Sequence, residues 1–311
     1  MNLAPVAIIA YNRPVHLSMT LDALRRNELS SATELFIYCD AAKSSEGESL
    51  AKEVREVARQ ATGFASCTVI ERDKNIGLVN NITSSATELV NKYGKVIVVE
   101  DDLITSPFFL RYMNDGLNTY EHDKEVASIH GWFVPHTKRN VPETFFLKGG
   151  DCLGWGTWKR AWDFFEFNAP KLMSELESKN LCAAFDRHPA CEMTKLLQYC
   201  IDKKVQSWAI CWHAGLFLRD MYTLYPGHSL VHHIGDDGSG THFKEKEKTK
   251  RRPFLKTPVT VTRMPITEHT AMADLLIQDA VQRRKERRRR KRKPIAKKIS
   301  DGFLRIFRRL F

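Results

Sequence analysis

The sequence predicts an α/β fold: a Rossmann-like, mostly parallel sheet flanked by helices, with an irregular second half and a basic C-terminal tail. Short apolar runs alternate with amphipathic stretches through the first half, which is the pattern of repeated β-α-β units. These runs end in polar or charged residues, as expected at the carboxyl edge of an open sheet, where ligands bind. With 311 residues, 43% of them hydrophobic and 27% charged, the chain can bury a large core.

The first half contains four predicted strands and three predicted helices. The run APVAIIA at 4–10 is the first strand, and Pro14 suits the first turn of a helix that extends to about Asn27. Leucines three and four residues apart give this helix an apolar face. The other strands are expected at 34–39, 67–71 and 95–99, and the other helices at 46–60 and 79–93.

The second half is less regular. We expect strands at 126–130 and 144–148, and helices at 155–166, 170–179, 191–203 and 208–219. A segment rich in Gly, His and Asp follows at 223–243. The expected organisation is one domain over 1–243, divided into halves 1–130 and 131–243, then a linker over 244–282 and a polybasic amphipathic tail over 283–311.

The charge of the chain is concentrated in this basic tail (residues 283–311). The tail holds fifteen Lys or Arg and two acids, a charge of +13, whereas the whole chain has +11 and the rest therefore −2. Its last ten residues place Phe, Leu and Ile on one side of a helix and Arg on the other, which is typical of an interfacial membrane helix. Nucleic-acid binding is the alternative, but it would predict a basic body. We therefore expect an anionic membrane partner and no nucleic acid.

The cysteines and apolar runs bear on the compartment. Seven cysteines without a C-x-x-C pair favour reduced thiols in a cytosolic protein over a disulfide framework, and those at 182–211 fit no standard zinc spacing. No apolar run reaches the ~20 residues of a membrane span. The expected location is the cytoplasm, with peripheral attachment to the inner face of the cytoplasmic membrane.

Three carboxylates, Glu100, Asp101 and Asp102, directly follow the β-branched run VIVV. This acidic triplet is costly to bury unpaired, so we place it at the exposed end of the strand. A divalent cation with a preference for oxygen ligands, Mn²⁺ or Mg²⁺, is one explanation for it, and an acidic, solvated loop is the other.

Six segments in the same order resemble a known group of enzymes. They are IIAYNRP (8–14), Asp40 after ELFIYC, RDKNIGLVNN (72–81), VVEDDL (98–103), CLGWGTWKRAWD (152–163) and HHIGDDGSGTH (232–242). Together they resemble nucleotide-sugar glycosyltransferases of the GT-A fold, and more narrowly bacterial relatives of N-acetylglucosaminyltransferase I and family 2-like glycosyltransferases. The resemblance makes 1–130 the nucleotide-sugar-binding half and 131–243 the acceptor half with a closing loop.

The resemblance implies a role for each matching residue. Asp102 would bind Mn²⁺ or Mg²⁺, Asp101 would lie near the ribose and Glu100 near the transferred sugar of a donor, with a UDP-sugar favoured. The other residues implied to bind the nucleotide-sugar are Tyr11, Asn12, Arg13, Asp40, Arg72, Asn75 and Gly77. Asp40 would accept from the ring N–H of the base, although it also suits a plain strand-end acid, and Gly77 also suits a simple turn.

The Gly-rich segment around Trp155 and the segment ending in His242 are further candidates. Leu153, Gly154 and Trp155 would contact the sugar, with the indole stacked on its apolar face; the alternative is a packed tryptophan between turn glycines. Trp158 and Trp162 are expected to pack. His242 would complete the metal shell, with glycines around it as hinges, although a structural histidine is the alternative.

The general base departs from the family pattern. An inverting transferase needs a carboxylate that takes the proton of the acceptor hydroxyl, and Gln206 stands at the position where the resemblance expects that acid. Asp202, one helical turn earlier, is the substitute that we predict.

The predicted activity is that of a metal-dependent, inverting glycosyltransferase that moves a sugar from a nucleotide-sugar to a lipid-linked cell-surface glycan. The alternatives are a catalytically impaired relative, a nucleic-acid-binding protein, and a nucleotidyltransferase. The last class usually carries a Gly-rich loop with Lys or Arg after the first strand, and IIAYNRP lacks the glycines.

Overall fold

The computed structural model describes residues 2–133, 141–189, 191–235, 237, 257–282 and 284–285. The strands are β1 (Val6–Ala10), β2 (Glu34–Cys39), β3 (Ser66–Glu71), β4 (Lys95–Glu100), β5 (Leu103–Thr105), β6 (Val126–His130), β7 (Thr144–Lys148), β8 (Trp155–Trp158), β9 (Tyr222–Pro226) and β10 (Val231–His233). The helices are α1 (Pro14–Arg25), α2 (Glu48–Arg59), α3 (Gly77–Tyr93), α4 (Phe109–Thr119), α5 (Lys159–Trp162), α6 (Ala169–Ser178), α7 (Cys182–Asp186), α8 (Met193–Ile201), α9 (Trp208–Phe217) and α10 (270–282).

An eight-stranded sheet with the order β3-β2-β1-β4-β8-β6-β9-β7 forms the centre of the fold. The first four strands in this order are mutually parallel, β8 is antiparallel to β4 and β6, and β9 is parallel to β6. The predicted α/β class, with a mostly parallel sheet flanked by helices, is confirmed. The register aligns Ala10 with Cys39, Cys39 with Glu71, and Ile9 with Glu100, so the loops after these strands meet at one edge.

Helices cover both faces of this sheet. The apolar sides of α1, α2 and α4 pack on one face, where Leu17 and Tyr112 are fully buried. On the other face, α3 and the tryptophans of α5 and α9 pack against Val96 and Val98 of β4. Since β4 is covered on both faces, its β-branched side chains are buried, and the strand is fixed as the support for the residues that follow Glu100.

Two parts of the second half differ from the predicted elements. Residues 155–158 form strand β8 rather than the start of a helix, and the helix that follows is limited to Lys159–Trp162. The β-branched and aromatic residues of WGTW fit a central strand, and the indole spacing that indicated a helix does not distinguish the two structures here. The segment 223–243, in which no strand is predicted from the sequence, contains most of β9 and all of β10.

The helices α6 to α9 enclose a separate apolar cluster around Phe185, Leu197 and Ile210. Residues 202–204, which follow α8, are exposed. None of the helices in the described part of the chain combines the length and the apolar character needed to span a bilayer.

Part of the expected linker belongs to the folded body. Glu268 forms an isolated parallel bridge with Phe146 of β7, and the His269 N–H donates to the Phe146 carbonyl at 2.9 Å. The following helix α10 buries Met272 and Leu275 in a cluster with Phe145. Residues 244–256 and 286–311 lie outside the described residues, and so do most of the Gly-rich segment after β10 and the predicted ligand His242.

Candidate active site

The acidic triplet lies where β4 ends, at the carboxyl edge of the parallel strands. The Asp101 N–H donates to the Ile9 carbonyl at 3.1 Å, which extends the β1–β4 pairing by one residue. The Thr20 hydroxyl of α1 donates to the Asp101 carbonyl at 2.7 Å. These two contacts hold the backbone of the triplet, and both Asp101 and Asp102 are buried.

Arg13 is the cation that pairs with this triplet. It follows β1 directly and precedes Pro14, whose fixed φ suits the start of α1. Its guanidinium forms one ion pair with Asp101 and a second with Asp102, where Nη1 lies 2.8 Å from Oδ2. The structure therefore joins the loops after β1 and β4, as the prediction of a common nucleotide-sugar site requires.

The single guanidinium does not balance three adjacent carboxylates. Burial, together with the charges of Asp102 and Asp101, raises the pKa of Glu100 to about 8. Burial also raises the pKa of Asp101 to about 7, because it outweighs the ion pair with Arg13. Burial acts in the same direction on Asp102, but hydrogen bonds and charge from His233 and Arg13 prevail and hold its pKa below the usual value. Without a cation, Glu100 therefore keeps its proton near neutral pH, and a bound cation would favour the ionised form of these carboxylates.

Strand β10 brings His233 to Asp102. β10 pairs antiparallel with β5, which begins directly after the triplet, and the Ile234 N–H donates to the Asp102 carbonyl at 2.9 Å. As a result, Nε2 of His233 lies 3.2 Å from Oδ2 of Asp102. Gly235 permits this approach, since a Cβ at that position would lie 2.2 Å from the same oxygen.

His233 is a site residue that the sequence prediction ranks below His242. The prediction favoured His242 because of the glycines around it, whereas the position of His233 depends on the pairing of β10 with β5. A short strand next to a Gly-rich segment gives little signal in the sequence. Its only trace is the short apolar pair Leu230-Val231, between Ser229 and the two histidines.

The donor atoms at Asp102 fit a cation that takes few ligands from the protein. A carboxylate oxygen and an imidazole nitrogen lie together there. No group of three or more His, Cys, Asp or Glu is arranged to hold a metal ion among the residues that the structure describes. Mg²⁺ and similar ions are often held by one or two carboxylates together with substrate phosphates, so this small donor set is compatible with Mn²⁺ or Mg²⁺.

Asp40 joins the loops after β2 and β3. Its Oδ1 accepts from the N–H groups of Ala41 at 2.9 Å and Ile76 at 3.0 Å, and its Oδ2 accepts from Gly77 N–H at 2.9 Å. The carboxylate therefore satisfies amide donors at the N-terminus of α3, where negative charge is also favourable. Gly77 has a left-handed φ of 78° with open space around it, so it serves the turn.

The other predicted nucleotide-binding residues surround this junction. The Asn75 side-chain amide donates to the Ala41 carbonyl at 2.7 Å, and the Tyr11 hydroxyl accepts from Lys43 N–H at 3.1 Å. Arg72 points instead to α3, where its guanidinium donates to the Ser84 hydroxyl at 3.1 Å. Asn12 lies in the same loop as Tyr11, partly exposed. The loops thus meet as expected. Several of their polar atoms form hydrogen bonds that stabilise the loops themselves.

Leu153, Gly154 and Trp155 lie beside β10 and β6, and Trp155 has a different role from the one predicted. The indole of Trp155 is 1% exposed and is enclosed by the rings of Trp162, Trp208 and Trp212. A ring enclosed in this way has no face open to a sugar, so packing replaces the expected stacking role. Gly154 has a φ of 63°, and a Cβ there would lie 3.0 Å from Val231 of β10.

Leu153 is held by a buried histidine. The Leu153 N–H donates to Nε2 of His130 at 3.0 Å, so the ring proton is on Nδ1, which donates to the Trp132 carbonyl at 2.8 Å. Burial lowers the pKa of His130, which keeps the ring neutral. This arrangement fixes the segment 151–154 at the same edge as the triplet.

The predicted base, Asp202, lies at the C-terminal end of α8. Its carboxylate is exposed, accepts from the Gln198 side chain and lies 2.8 Å from the Lys204 ammonium. These two hydrogen bonds lower the pKa of Asp202. Gln206 is exposed as well and precedes α9 by two residues.

Comparisons with known proteins add little to this geometry. No protein-family model matches the chain, and no curated protein matches it. Three solved structures illustrate what the chain is similar to. The mannosyltransferase PcManGT from Pyrobaculum calidifontis, in complex with GDP-Man and Mn²⁺, is 16% identical with a TM-score of 0.30, over 41% of this chain and 37% of that one.

The other two structures are S. aureus TarS in complex with UDP-GlcNAc and a cytidylyltransferase from Leptospira borgpetersenii. TarS is 13% identical with a TM-score of 0.30, over 42% of this chain and 37% of that one. The cytidylyltransferase is 11% identical with a TM-score of 0.34, over 56% of this chain and 64% of that one. This chain spans less than two thirds of the length of each protein, and such similarity assigns no function.

Proposed function

We propose that the protein is a metal-dependent, inverting glycosyltransferase that transfers a sugar from a nucleotide-sugar. One observation carries the proposal: the acidic triplet, Arg13 and His233 meet at the carboxyl edge of β4, from three separate parts of the chain. Clustered carboxylates at a sheet edge suit a cation and the diphosphate bound to it.

Asp102 and His233 would hold Mn²⁺ or Mg²⁺. When bound, such an ion neutralises the negative charge of the departing diphosphate. Arg13 Nη1 pairs with the same Asp102 oxygen that His233 approaches. This guanidinium is therefore placed to leave the carboxylate and bind a phosphate when the donor binds. Glu100 and Asp101 complete the carboxyl-lined rim of the site.

The nucleotide would lie against the loops after β1, β2 and β3. Tyr11, Asn12 and Asp40 are on two of these loops, and Asn75 ties the third to Ala41. We propose that Asp40, by holding the N-H groups of Ile76 and Gly77, shapes the pocket for the base. A UDP-sugar is the donor that the sequence resemblance favours.

The proposed acceptor is a lipid-linked cell-surface glycan at the inner face of the cytoplasmic membrane. The sequence of the basic tail supports this, because its charge and its terminal Phe and Leu residues suit an anionic lipid surface. The described residues include 284–285 at the start of this tail, where Arg284 donates to the Pro189 carbonyl at 2.9 Å.

Thermal-shift measurements with UDP-, GDP-, dTDP- and CMP-sugars test the donor site. We expect one nucleotide class to raise the Tm in the presence of Mn²⁺ and to have little effect in EDTA. Asp102→Asn removes the anionic ligand and should abolish the Mn²⁺-dependent part of the shift. The matched control is Asp22→Asn, since Asp22 is exposed on α1 and pairs only with Arg25 in the described structure.

Two results would contradict the proposal. One is the absence of stabilisation by all four donor classes, with or without Mn²⁺. The other is an equal Mn²⁺-dependent shift in the wild type and in Asp102→Asn.

A further inference from the structure

The proposed reaction needs a base for the acceptor hydroxyl, and Asp151 is better placed than Asp202 for this role. Asp202 follows the C-terminal end of α8 and lies 2.8 Å from the ammonium of Lys204. A carboxylate that is paired with a lysine and has a lowered pKa is a weaker base than an unpaired one.

Asp151 lies in the connection between β7 and β8, at the edge that carries the triplet. β8 is antiparallel to β4 and pairs Trp155 with Val98, so the residues before Trp155 lie beside the end of β4. The Gly154 carbonyl accepts from Gly131 N–H at 2.7 Å, which fixes this connection against the end of β6. The Asp151 side chain is 31% exposed, so it is within reach of a substrate.

The contacts of the Asp151 carboxylate orient it without neutralising it. Oδ1 accepts from Cys152 N–H at 2.8 Å, and Oδ2 accepts from the Tyr225 hydroxyl at 3.4 Å. His130 Nε2 lies 3.8 Å away but is itself an acceptor for Leu153 N–H. Among the ion pairs of the described residues, Asp151 therefore has only this contact with a neutral ring and no cationic partner.

Cys152 links Asp151 to the acidic triplet. Burial raises the pKa of its thiol, and the negative charges of Asp151, Glu100 and Asp102 act in the same direction. The thiol therefore lies within electrostatic reach of both groups. This agrees with the strand pairing, which brings the start of β8 to the end of β4.

We propose that Asp151 is the catalytic base of the transfer reaction, an inference that rests on the proposed function. Its carboxylate takes the proton of the acceptor hydroxyl as that oxygen forms a bond to the anomeric carbon of the donor sugar. The bond from this carbon to the nucleotide phosphate breaks, and the phosphate oxygen leaves with the electron pair. The proton then passes from Asp151 to water.

Asp151→Asn is the decisive variant, because an amide preserves the size of the side chain and an oxygen acceptor for Cys152 N–H but does not take up the proton. The donor is the nucleotide-sugar that stabilises the wild type, and p-nitrophenyl glycosides serve as acceptors. We expect kcat to fall by about a hundredfold or more, with the KM for the donor and the Mn²⁺-dependent thermal shift unchanged. Asp151→Glu keeps a carboxylate and should retain more activity than Asp151→Asn.

The matched control is Asp220→Asn, which removes a carboxylate that is exposed and paired with Lys148. Its kcat should stay close to that of the wild type. Asp202→Asn is measured in parallel, because Asp202 is the competing candidate for the base. A loss of turnover in Asp202→Asn, together with retained activity in Asp151→Asn, would overturn the inference. So would loss of donor binding in Asp151→Asn, since that would make Asp151 part of the donor site. If the wild type binds no donor, the proposed function itself fails. If the wild type binds a donor and Asp151→Asn keeps its activity, only the inference about Asp151 fails.

Discussion

Glu100 shows how a single residue can link the site to the stability of the protein. In the unfolded chain a glutamate ionises near pH 4.3, whereas burial beside Asp102 and Asp101 raises the pKa of Glu100 to about 8 in the folded protein. Between these values the folded protein binds a proton that the unfolded chain does not. Raising the pH through this window therefore lowers the free energy of unfolding.

Urea unfolding in EDTA at pH values between about 5 and 8 tests this directly. We expect the free energy of unfolding to decrease across the window in the wild type, and to change less in Glu100→Gln, which is neutral in both states. Glu46→Gln is the matched control because Glu46 is fully exposed. An equal slope in the wild type and in Glu100→Gln would show that Glu100 ionises normally.

For single residues, the sequence predicts the sheet edge at which a side chain lies better than it predicts the atoms that the side chain contacts. The end-of-strand argument placed Asp40 and the triplet at one edge, as the register shows. It did not show that both Asp40 oxygens accept from amides 36 and 37 residues further along the chain. Such partners depend on the loop conformation after β3, and hydrophobic periodicity carries no information about it.

At the scale of elements, the connection between β7 and β8 brings Asp151 to the edge of the sheet that carries the triplet. Gly154 holds it close to β10, with a left-handed φ of 63°. The periodicity of the sequence suggested a helix from 155, because three indoles at spacings of three and four also fit a helical face. In the structure, residues 155–158 form β8 instead, and this strand pairs with β4 on one side and β6 on the other.

Comparing Gly154→Ala with Gly77→Ala separates two contributions to the free energy of unfolding, the strain of a left-handed backbone and the clash of an added Cβ with its neighbours. Both glycines have a left-handed φ, which costs a residue with a Cβ about 1–2 kcal/mol. At Gly77 a Cβ meets nothing within 4 Å, whereas at Gly154 it would lie 3.0 Å from Val231 and 3.3 Å from Phe109. We expect Gly154→Ala to lower the free energy of unfolding by about 1–3 kcal/mol more than Gly77→Ala.

Urea unfolding of the two variants measures this difference. Gly154→Ala should also weaken the Mn²⁺-dependent thermal shift, because moving Val231 moves His233 two residues along β10. Equal destabilisation in the two variants would contradict the close packing of Gly154 on β10.

At the scale of the whole molecule, the residues after 256 divide into two parts with different roles. The segment 257–282 adds to the body: Val259 joins the main core, and α10 packs on Phe145 and Tyr225. The sequence predicts a mixed linker with a short helical stretch here, because Thr, Pro and charged residues are interspersed among its apolar residues. Its contribution comes from contacts with β7, more than a hundred residues earlier in the chain, which a local pattern does not reveal.

Two truncations distinguish these roles. A chain that ends at residue 285 keeps α10 and loses most of the basic tail, so its Tm should match that of the full chain. It should no longer co-sediment with vesicles that contain phosphatidylglycerol. A chain that ends at residue 256 uncovers the cluster around Phe145, and its Tm should fall by at least about 5 °C, because several buried apolar side chains lose their cover.

Vesicles of phosphatidylcholine alone are the control for charge, and neither truncation should change the weak binding to them. Retained binding of the chain that ends at 285 to anionic vesicles would contradict a membrane role for the tail. An unchanged Tm for the chain that ends at 256 would contradict the packing of α10.

The strand order has a consequence for protein synthesis. β9 lies between β6 and β7 in the sheet but follows both in the sequence, with Val126 of β6 paired to Tyr222. A ribosome adding roughly 5 to 20 residues per second would release β6 about 5 to 20 s before its partner. During this interval the nascent chain would expose two strands with open edges. We therefore expect the half that carries Asp151 to mature after the nucleotide half, and to depend more on chaperones during translation.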